Sequence, residues 1–311
     1  MIAIEKYSAE KKNLWNEFLK NSKNGIFMLN RDFLEYHSDR FVDNSLMFYS
    51  EGTLIALLPL SKHDDEVISH GGLTFGGFIF NETMKQAQMN YCFNALIKYL
   101  RENNFKKLIY KKIPHIYTKF PSEEDLYALW INNAKLLKKE PSTTIFLETP
   151  FSLTKGRKSQ ISKAKRENIK VEESNNFEEF IALENSVLKT YHNTVAVHTA
   201  DELKLLKNRF PDCVKLFIAK KDNEILAGSL LFEYPNLVHT QYLANSDIGR
   251  KLGALDLVIA TLIEKYKDIK TYFDFGISTE NSGLYLNEGL IFQKESFGGR
   301  TVVYETYELD L

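Results

Sequence analysis

The chain has 311 residues, enough for two ordinary domains or one large one, and its 44% hydrophobic and 26% charged residues give a soluble globular balance with ample core. A formal net charge of −1 provides no bulk attraction to nucleic acid or to an anionic membrane. The longest apolar run, Thr53 to Leu60, is too short to span a bilayer. The N-terminal "MIAIEKYSAEKKNLW" lacks the apolar core and small-residue cleavage site of a secretory signal, so a cytoplasmic protein without membrane insertion is expected. Cys92 and Cys213, far apart in apolar surroundings, read as free buried thiols.

In chain order, "MIAIEKYS" reads as a strand, "AEKKNLWNEFLKNS" as a helix and "RDFLEYH" as a shorter helix. "SLMFYS", "TLIALLPLSKH" and "EVISHGGLTFGGFIF" predict three strands, turning at Glu51-Gly52 and Asp64-Asp65. A long helix "ETMKQAQMNYCFNALIKYLREN", a strand "KKLIYKKI", a helix "SEEDLYALWINNA" and a strand "STTIFLET" follow. Pro150 and neighbouring small residues mark a boundary, after which a basic helix is predicted over 155–170. Next come a strand "IKVEES", a helix "FEEFIALENSVLKTYH" capped by Asn176, and a loop holding His192 and His198. "TADELKLLKNRF" carries a capping box, Thr199 with a glutamate three residues on. "VKLFIAKK", "EILAGSLLFEY" and "LVHTQYLANS" are three strands with turns at Asp222-Asn223 and Pro235-Asn236. A helix over 253–266, a strand "TYFDFGIS", a short helix around 284–288 and a strand "TVVYETYELD" complete the chain.

The same order of elements occurs in both halves, which points to an internal duplication. The expected fold is α/β with mixed sheets, divided into domains 1–150 and 151–311.

This order is that of the GNAT acyltransferase fold, and a tandem pair of such domains resembles the Fem-like aminoacyl and acyl transferases. "GRKSQISKAKRENIKVEE" resembles the basic helix and strand that open the second domain of that group. "YFDFGIS" resembles its strand ending in Asp-x-Gly, and "FQKESFGGRTVVYETYELDL" its Phe-Lys … Phe-Gly-Gly … Tyr signature. The motif-level likeness covers mainly Gly156 to Leu311; the first half matches in topology. Asp274-Phe275-Gly276 also spells the metal triplet of protein kinases, but the phosphate loop and His-Arg-Asp segment of a kinase are absent.

The resemblance implies an acyl-CoA cosubstrate whose pyrophosphate rests on backbone amides at a helix start, where N–H groups are unpaired and the dipole is positive. "GRKLGAL" supplies Arg250, Lys251, Gly253 and Ala254 for that role, with Leu255 in the last small position. The corresponding turn of the first half, "FIFNETMKQAQ", lacks these residues and is expected to bind no cofactor. There the glycine-rich strand offers His70, Gly71 and Gly72 to an acceptor substrate. In the last GNAT helix a tyrosine can protonate the departing thiolate, and Tyr285 in "LYLNEGLIF" matches it. Asp274, His198, His239 and Glu280 are candidates to take the proton of an acceptor ammonium. The junction helix holds six Lys and Arg from Lys155 to Arg166 with Lys170 beyond, and Arg157 and Lys158 among them are its expected phosphate contacts. No metal-ligand spacing occurs.

The expected function is N-acyl transfer from acyl-CoA to an amine on a small cell-envelope or nucleotide-sugar precursor. The alternatives are tRNA-dependent aminoacyl transfer to a peptidoglycan precursor and a non-catalytic scaffold of degenerate GNAT folds. A tRNA partner normally requires a wider basic surface than one helix.

Overall fold

The computed structural model describes residues 1–311, the side chain of His192 apart. Strand β1 (Ile2–Lys6) precedes α1 (Lys12–Lys20) and α2 (Arg31–Leu34). Then come β2 (Val42–Asp43), β3 (Leu46–Ser50), β4 (Thr53–Leu58), β5 (Ser61–His63), β6 (Glu66–Ile68) and β7 (Ile79–Phe80). Helix α3 (Gln86–Glu102), β8 (Lys107–Lys111), α4 (Glu124–Ile131) and β9 (Lys135–Phe146) follow. The later part begins with α5 (Lys155–Arg166), β10 (Lys170–Ser174), α6 (Phe177–His192) and α7 (Ala200–Arg209). Strands β11 (Val214–Lys221), β12 (Glu224–Glu233) and β13 (Leu237–Asn245) lead to α8 (Asp247–Leu252) and α9 (Ala254–Tyr266). The chain ends with β14 (Tyr272–Ile277), β15 (Thr279–Glu280), β16 (Tyr285–Leu286), α10 (Glu288–Glu295) and β17 (Arg300–Asp310).

Local chemistry explains many of these boundaries. Asn176 accepts the Glu179 N–H at 3.1 Å to start α6, and Thr199 and Glu202 form a reciprocal capping box on α7. Asp222 and Asn223 adopt left-handed φ of 49° and 67°, the geometry a two-residue hairpin between β11 and β12 demands.

Two compact units result, one of Met1–Glu140 with Val303–Leu311 and one of Pro141–Val302. In the first, β1-β3-β4-β7 form one sheet, while β17 pairs antiparallel with β8 from Thr306↔Lys111 to Asp310↔Lys107. Its core gathers Phe48, Phe78, Phe80, Phe93, Leu108 and Tyr110, with Leu309 from the final strand. In the second, the strand order is β10-β11-β12-β13-β14, completed by residues 142–146 of β9. Leu255, Val258 and Leu262 of α9 pack on Ala227, Leu231 and Phe273. On the alternate face Phe180 of α6 fills the space above Gly228, where a Cβ would lie 2.9 Å from its ring. The units therefore do not divide at residue 150: each sheet is completed by a strand from beyond the expected boundary.

Two other expectations are corrected. "EVISHGGLTFGGFIF" forms strand only at its ends; His70 turns at φ 63° and Lys111 Nζ donates to the carbonyls of His70, Gly71 and Leu73 at 3.2, 3.4 and 2.8 Å. Carbonyls gathered around one ammonium cannot serve a sheet ladder. The helix expected around 284–288 begins only at Glu288. Left-handed Asn281 and Ser282 and Gly283 fold the chain back so that Glu280 pairs with Tyr285, and α10 waits for Asn287 to cap Leu290 N at 2.9 Å.

Candidate active site

Strands β13 and β14 run parallel and pair only through Leu237↔Tyr272, Val238↔Phe273 and His239↔Asp274. Beyond that rung no pairing joins them, although each strand continues. The opposite edges carry irregularities at the same level. Gln241 is the unmatched residue of a bulge between Leu230↔Tyr242 and Leu231↔Thr240, and the β14–β9 register shifts between Asp274 and Ile277. Parting strands with bulges on both sides leave a notch whose last paired residues are His239 and Asp274.

Asp274 is 0% exposed. One carboxylate oxygen accepts from Ser142 Oγ at 2.7 Å and Thr144 Oγ1 at 2.6 Å, and the other lies 2.6 Å from His239 Nδ1. Burial pushes this carboxyl up, but hydrogen bonds from His239, Thr144 and Ser142 outweigh it and hold the group at about 2. An ionised Asp274 only accepts, so Nδ1 of His239 carries the hydrogen. In the neutral ring Nε2 is then the nitrogen that takes up a proton. The His239 side chain is 17% exposed, so the imidazole links a buried charge to the notch.

Gly276 adjoins this pair at φ 76°; a Cβ there would come within 3.1 Å of His239 Cε1. Its carbonyl and that of Ile277 accept from Lys294 Nζ at 2.9 and 2.7 Å. Lys294 is 6% exposed, and burial lowers its ammonium to about 8, with Asp274 acting in the opposite sense. Lys294 was not among the sequence candidates. The signal was present: it is the lysine of the Phe-Lys … Phe-Gly-Gly signature in "FQKESFGG".

The other candidates lie elsewhere. His198 is buried, its Nδ1 2.8 Å from Tyr242 Oη, and its ring stands edge-on to Phe232, the register partner of His239. Tyr285 sits on β16, 54% exposed, across from Glu280, whose carboxylate accepts from Asn287 Nδ2 at 2.7 Å. Arg250 lies on α8 with its guanidinium 4.3 Å from the Tyr191 ring, and Lys251 beside it is exposed. Gly253 turns at φ 76° between α8 and α9, where a Cβ would lie 2.5 Å from the Gln160 carbonyl oxygen; Ala254 is fully buried behind it. Arg157 donates to Asp256 in the first turn of α9 and to Ser296 Oγ, both at 2.7 Å, and its guanidinium lies 4.8 Å from the Phe297 ring. Lys158 is exposed.

In the first unit, His70 is buried and pushed down to about 3 by desolvation, with His37 adding to the effect. Gly71 N–H donates to Ser61 Oγ at 2.8 Å, and a Cβ on Gly72 would lie 2.4 Å from the Phe41 ring. Among the described residues, no group of three or more His, Cys, Asp or Glu could hold a metal ion, and no helix is long and apolar enough to cross a membrane.

No family model matches the chain, and no curated protein matches it by sequence. Among solved structures, FemX is similar with a TM-score of 0.69 at 11% identity, over 99% of this chain and 97% of that one. L-PGS from Bacillus licheniformis is similar with a TM-score of 0.65 at 16% identity, over 98% and 92%. A tandem GNAT protein from the clavulanic acid biosynthesis pathway gives a TM-score of 0.53 at 9% identity, over 100% and 98%. Likeness at these identities speaks for architecture, and function rests on the site. The chain has a tandem GNAT-like fold, with Fem-like proteins among its structural neighbours.

Proposed function

We propose that this protein transfers an acyl group to an amine, with His239, oriented by Asp274, as the proton acceptor in the second unit. The observation that carries this reading is the buried Asp274 carboxylate fixing the His239 imidazole at the rung where β13 and β14 part. An amine reaches the site as an ammonium. Loss of one proton to His239 Nε2 frees the lone pair that attacks the acyl carbon, and collapse of the tetrahedral adduct breaks the bond to the leaving group, which departs with the second proton of the nitrogen. Positioning of the amine and proton removal supply the rate enhancement.

For the donor, acyl-CoA is the first reading, with the exposed Arg250 and Lys251 of α8 as its phosphate contacts. The fit at α9 is poor: Asp256 and Arg157 already complement its first turn, and the Gln160 carbonyl fills the space beside Gly253. No step is therefore routed through that turn. This same occupancy favours a second reading, an aminoacyl-tRNA donor bound by the exposed Lys155, Lys158, Lys165 and Arg166 of α5. The acceptor is proposed to be a small cell-envelope or nucleotide-sugar precursor bearing an amine, met in the cytoplasm.

Calorimetric titration with acetyl-CoA and with an aminoacylated tRNA decides between the donors. Binding of acetyl-CoA, weakened by charge reversal at Arg250 and Lys251, supports the first. Binding of tRNA alone transfers the proposal to the second. Turnover unchanged in His239→Gln would remove the proposed chemistry under either donor.

A further inference from the structure

Glu184, on the sheet-facing side of α6, is a buried acid that the proposed chemistry does not use. It is 5% exposed, and its Oε2 has no hydrogen-bond partner. Burial is the influence that moves its carboxyl, up to about 7, and no neighbouring cation offsets it. Tyr242 of β13, the strand against which α6 packs, is near enough to feel its charge, and its hydroxyl meets both the His198 Nδ1 at 2.8 Å and the His198 N–H at 3.3 Å. Glu202 of α7 acts on the same tyrosine from farther out.

The loop after α6 folds back onto the helix and onto β13 next to this group. Asn193 ends the helix at φ 50°, and Asn185, the residue after Glu184, accepts the Ala196 N–H at 2.8 Å. Beneath the loop, Tyr242 and Leu230 are register partners and so share a face of the sheet. Phe232, two residues from Leu230, lies on that face as well, carrying the register to His239. The acid and the dyad are thus served by the same side of β12 and β13.

A buried carboxylate with one oxygen unpartnered is expensive, and a glutamine or an apolar residue of similar volume would spare the protein that cost. Its position beside the face that carries the dyad gives a reason for keeping it. We infer that Glu184, with the Tyr242 hydroxyl and His198 beside it, forms a subsite for a primary ammonium group of the substrate. The inference rests on the acyl-transfer reading for its choice of ligand. The ammonium supplies the missing counter-charge to Glu184 and donates a second hydrogen bond to Tyr242 Oη. Two sources carry that group: an amine attached to a carbon next to a carbonyl, and an amine at the end of a side chain.

The test uses the full chain labelled with ¹³C at glutamate carboxyls and titrated with n-butylammonium or n-butanol. Butylammonium is expected to bind and to lower the Glu184 midpoint by about one pH unit or more, as a nearby opposite charge does; butanol is expected to leave it in place. Glu184→Gln, which keeps the side-chain volume, should weaken butylammonium roughly tenfold or more while its Tm holds or rises. Tyr242→Phe should weaken it less. L-lysine amide binding more tightly than L-norleucine amide assigns the subsite to a side-chain ammonium, and equal binding assigns it to the amine next to the carbonyl. Equal responses to butylammonium and butanol, or unchanged affinity in Glu184→Gln, overturn the inference and leave the acyl-transfer reading standing. Ammonium binding that needs Glu184, in a protein that acylates no amine, upholds the subsite and removes the acyl-transfer reading.

Discussion

His239 Nδ1 stands 2.6 Å from Asp274 Oδ2, and these two residues form the last rung shared by β13 and β14. Removing either half of the pair should cost turnover far more than it costs folding at neutral pH. His239→Gln and Asp274→Asn are expected to lower kcat by about 10²–10⁴. Asp274 also leaves a signature in stability. Its folded value of about 2 lies below the unfolded value of ~3.9, so between them the unfolded state binds more protons. Its stabilisation is therefore present above pH ~4 and lost as pH falls through about 2. Thermal unfolding of wild type and Asp274→Asn should differ most at neutral pH and converge in acid.

Lys294 gives a slope of the same sign at the alkaline end. Burial lowers its ammonium to about 8, so on going up from there the folded protein sheds a proton that the unfolded chain keeps until ~10.4. Wild-type stability should rise across that interval relative to Lys294→Met. The same substitution removes both donors to the Gly276 and Ile277 carbonyls and is expected to lower turnover about tenfold or more. Denaturation midpoints at pH 7.5 and 10, with kcat at neutral pH, check both.

For Glu184 the sign is the reverse of both. Its folded value of about 7 exceeds the unfolded value, so across that range the folded state holds the extra proton and wild type loses stability as pH rises. Glu184→Gln should be more stable than wild type by up to about 3 kcal/mol above pH 7 and should match it below pH ~4.3. Urea denaturation at pH 4 and pH 8 measures the two limits.

Gly253 separates a packing role from a ligand role. Alanine there meets the Gln160 carbonyl at 2.5 Å and must adopt φ 76°. The expected loss is about 1–3 kcal/mol without any ligand present. A Gly253→Ala protein with wild-type Tm would contradict this account of the α5–α9 contact.

Much of the second unit was legible because its signals are local. Asn176, the Thr199–Glu202 box and the Asp222-Asn223 turn each declare a boundary through chemistry within four residues. The resemblance placed Asp274 at the end of a strand, and residue chemistry nominated His239, but their pairing depends on parallel strands separated by two helices in sequence. The misread segments share a different property. The stretch from Ser69 to Phe78 is shaped by Lys111 from a distant strand, and Tyr285 is placed by three successive left-handed residues that a helical pattern conceals. Lys294 was overlooked because a lysine inside a helix reads as solvated, whereas this one spends its charge on two carbonyls.

The exchange of closing strands has a consequence for biosynthesis. Residues 141–302 are contiguous, so the second unit has all its strands once that segment has left the ribosome. The opening 140 residues of the first unit emerge long before, yet β8, paired with β6 on one side, keeps its other edge open until residues 306–310 appear. An exposed strand edge of that kind is a site for mispairing during synthesis. The open edge of β8 should therefore be the last in the chain to close, after the second unit has all its strands.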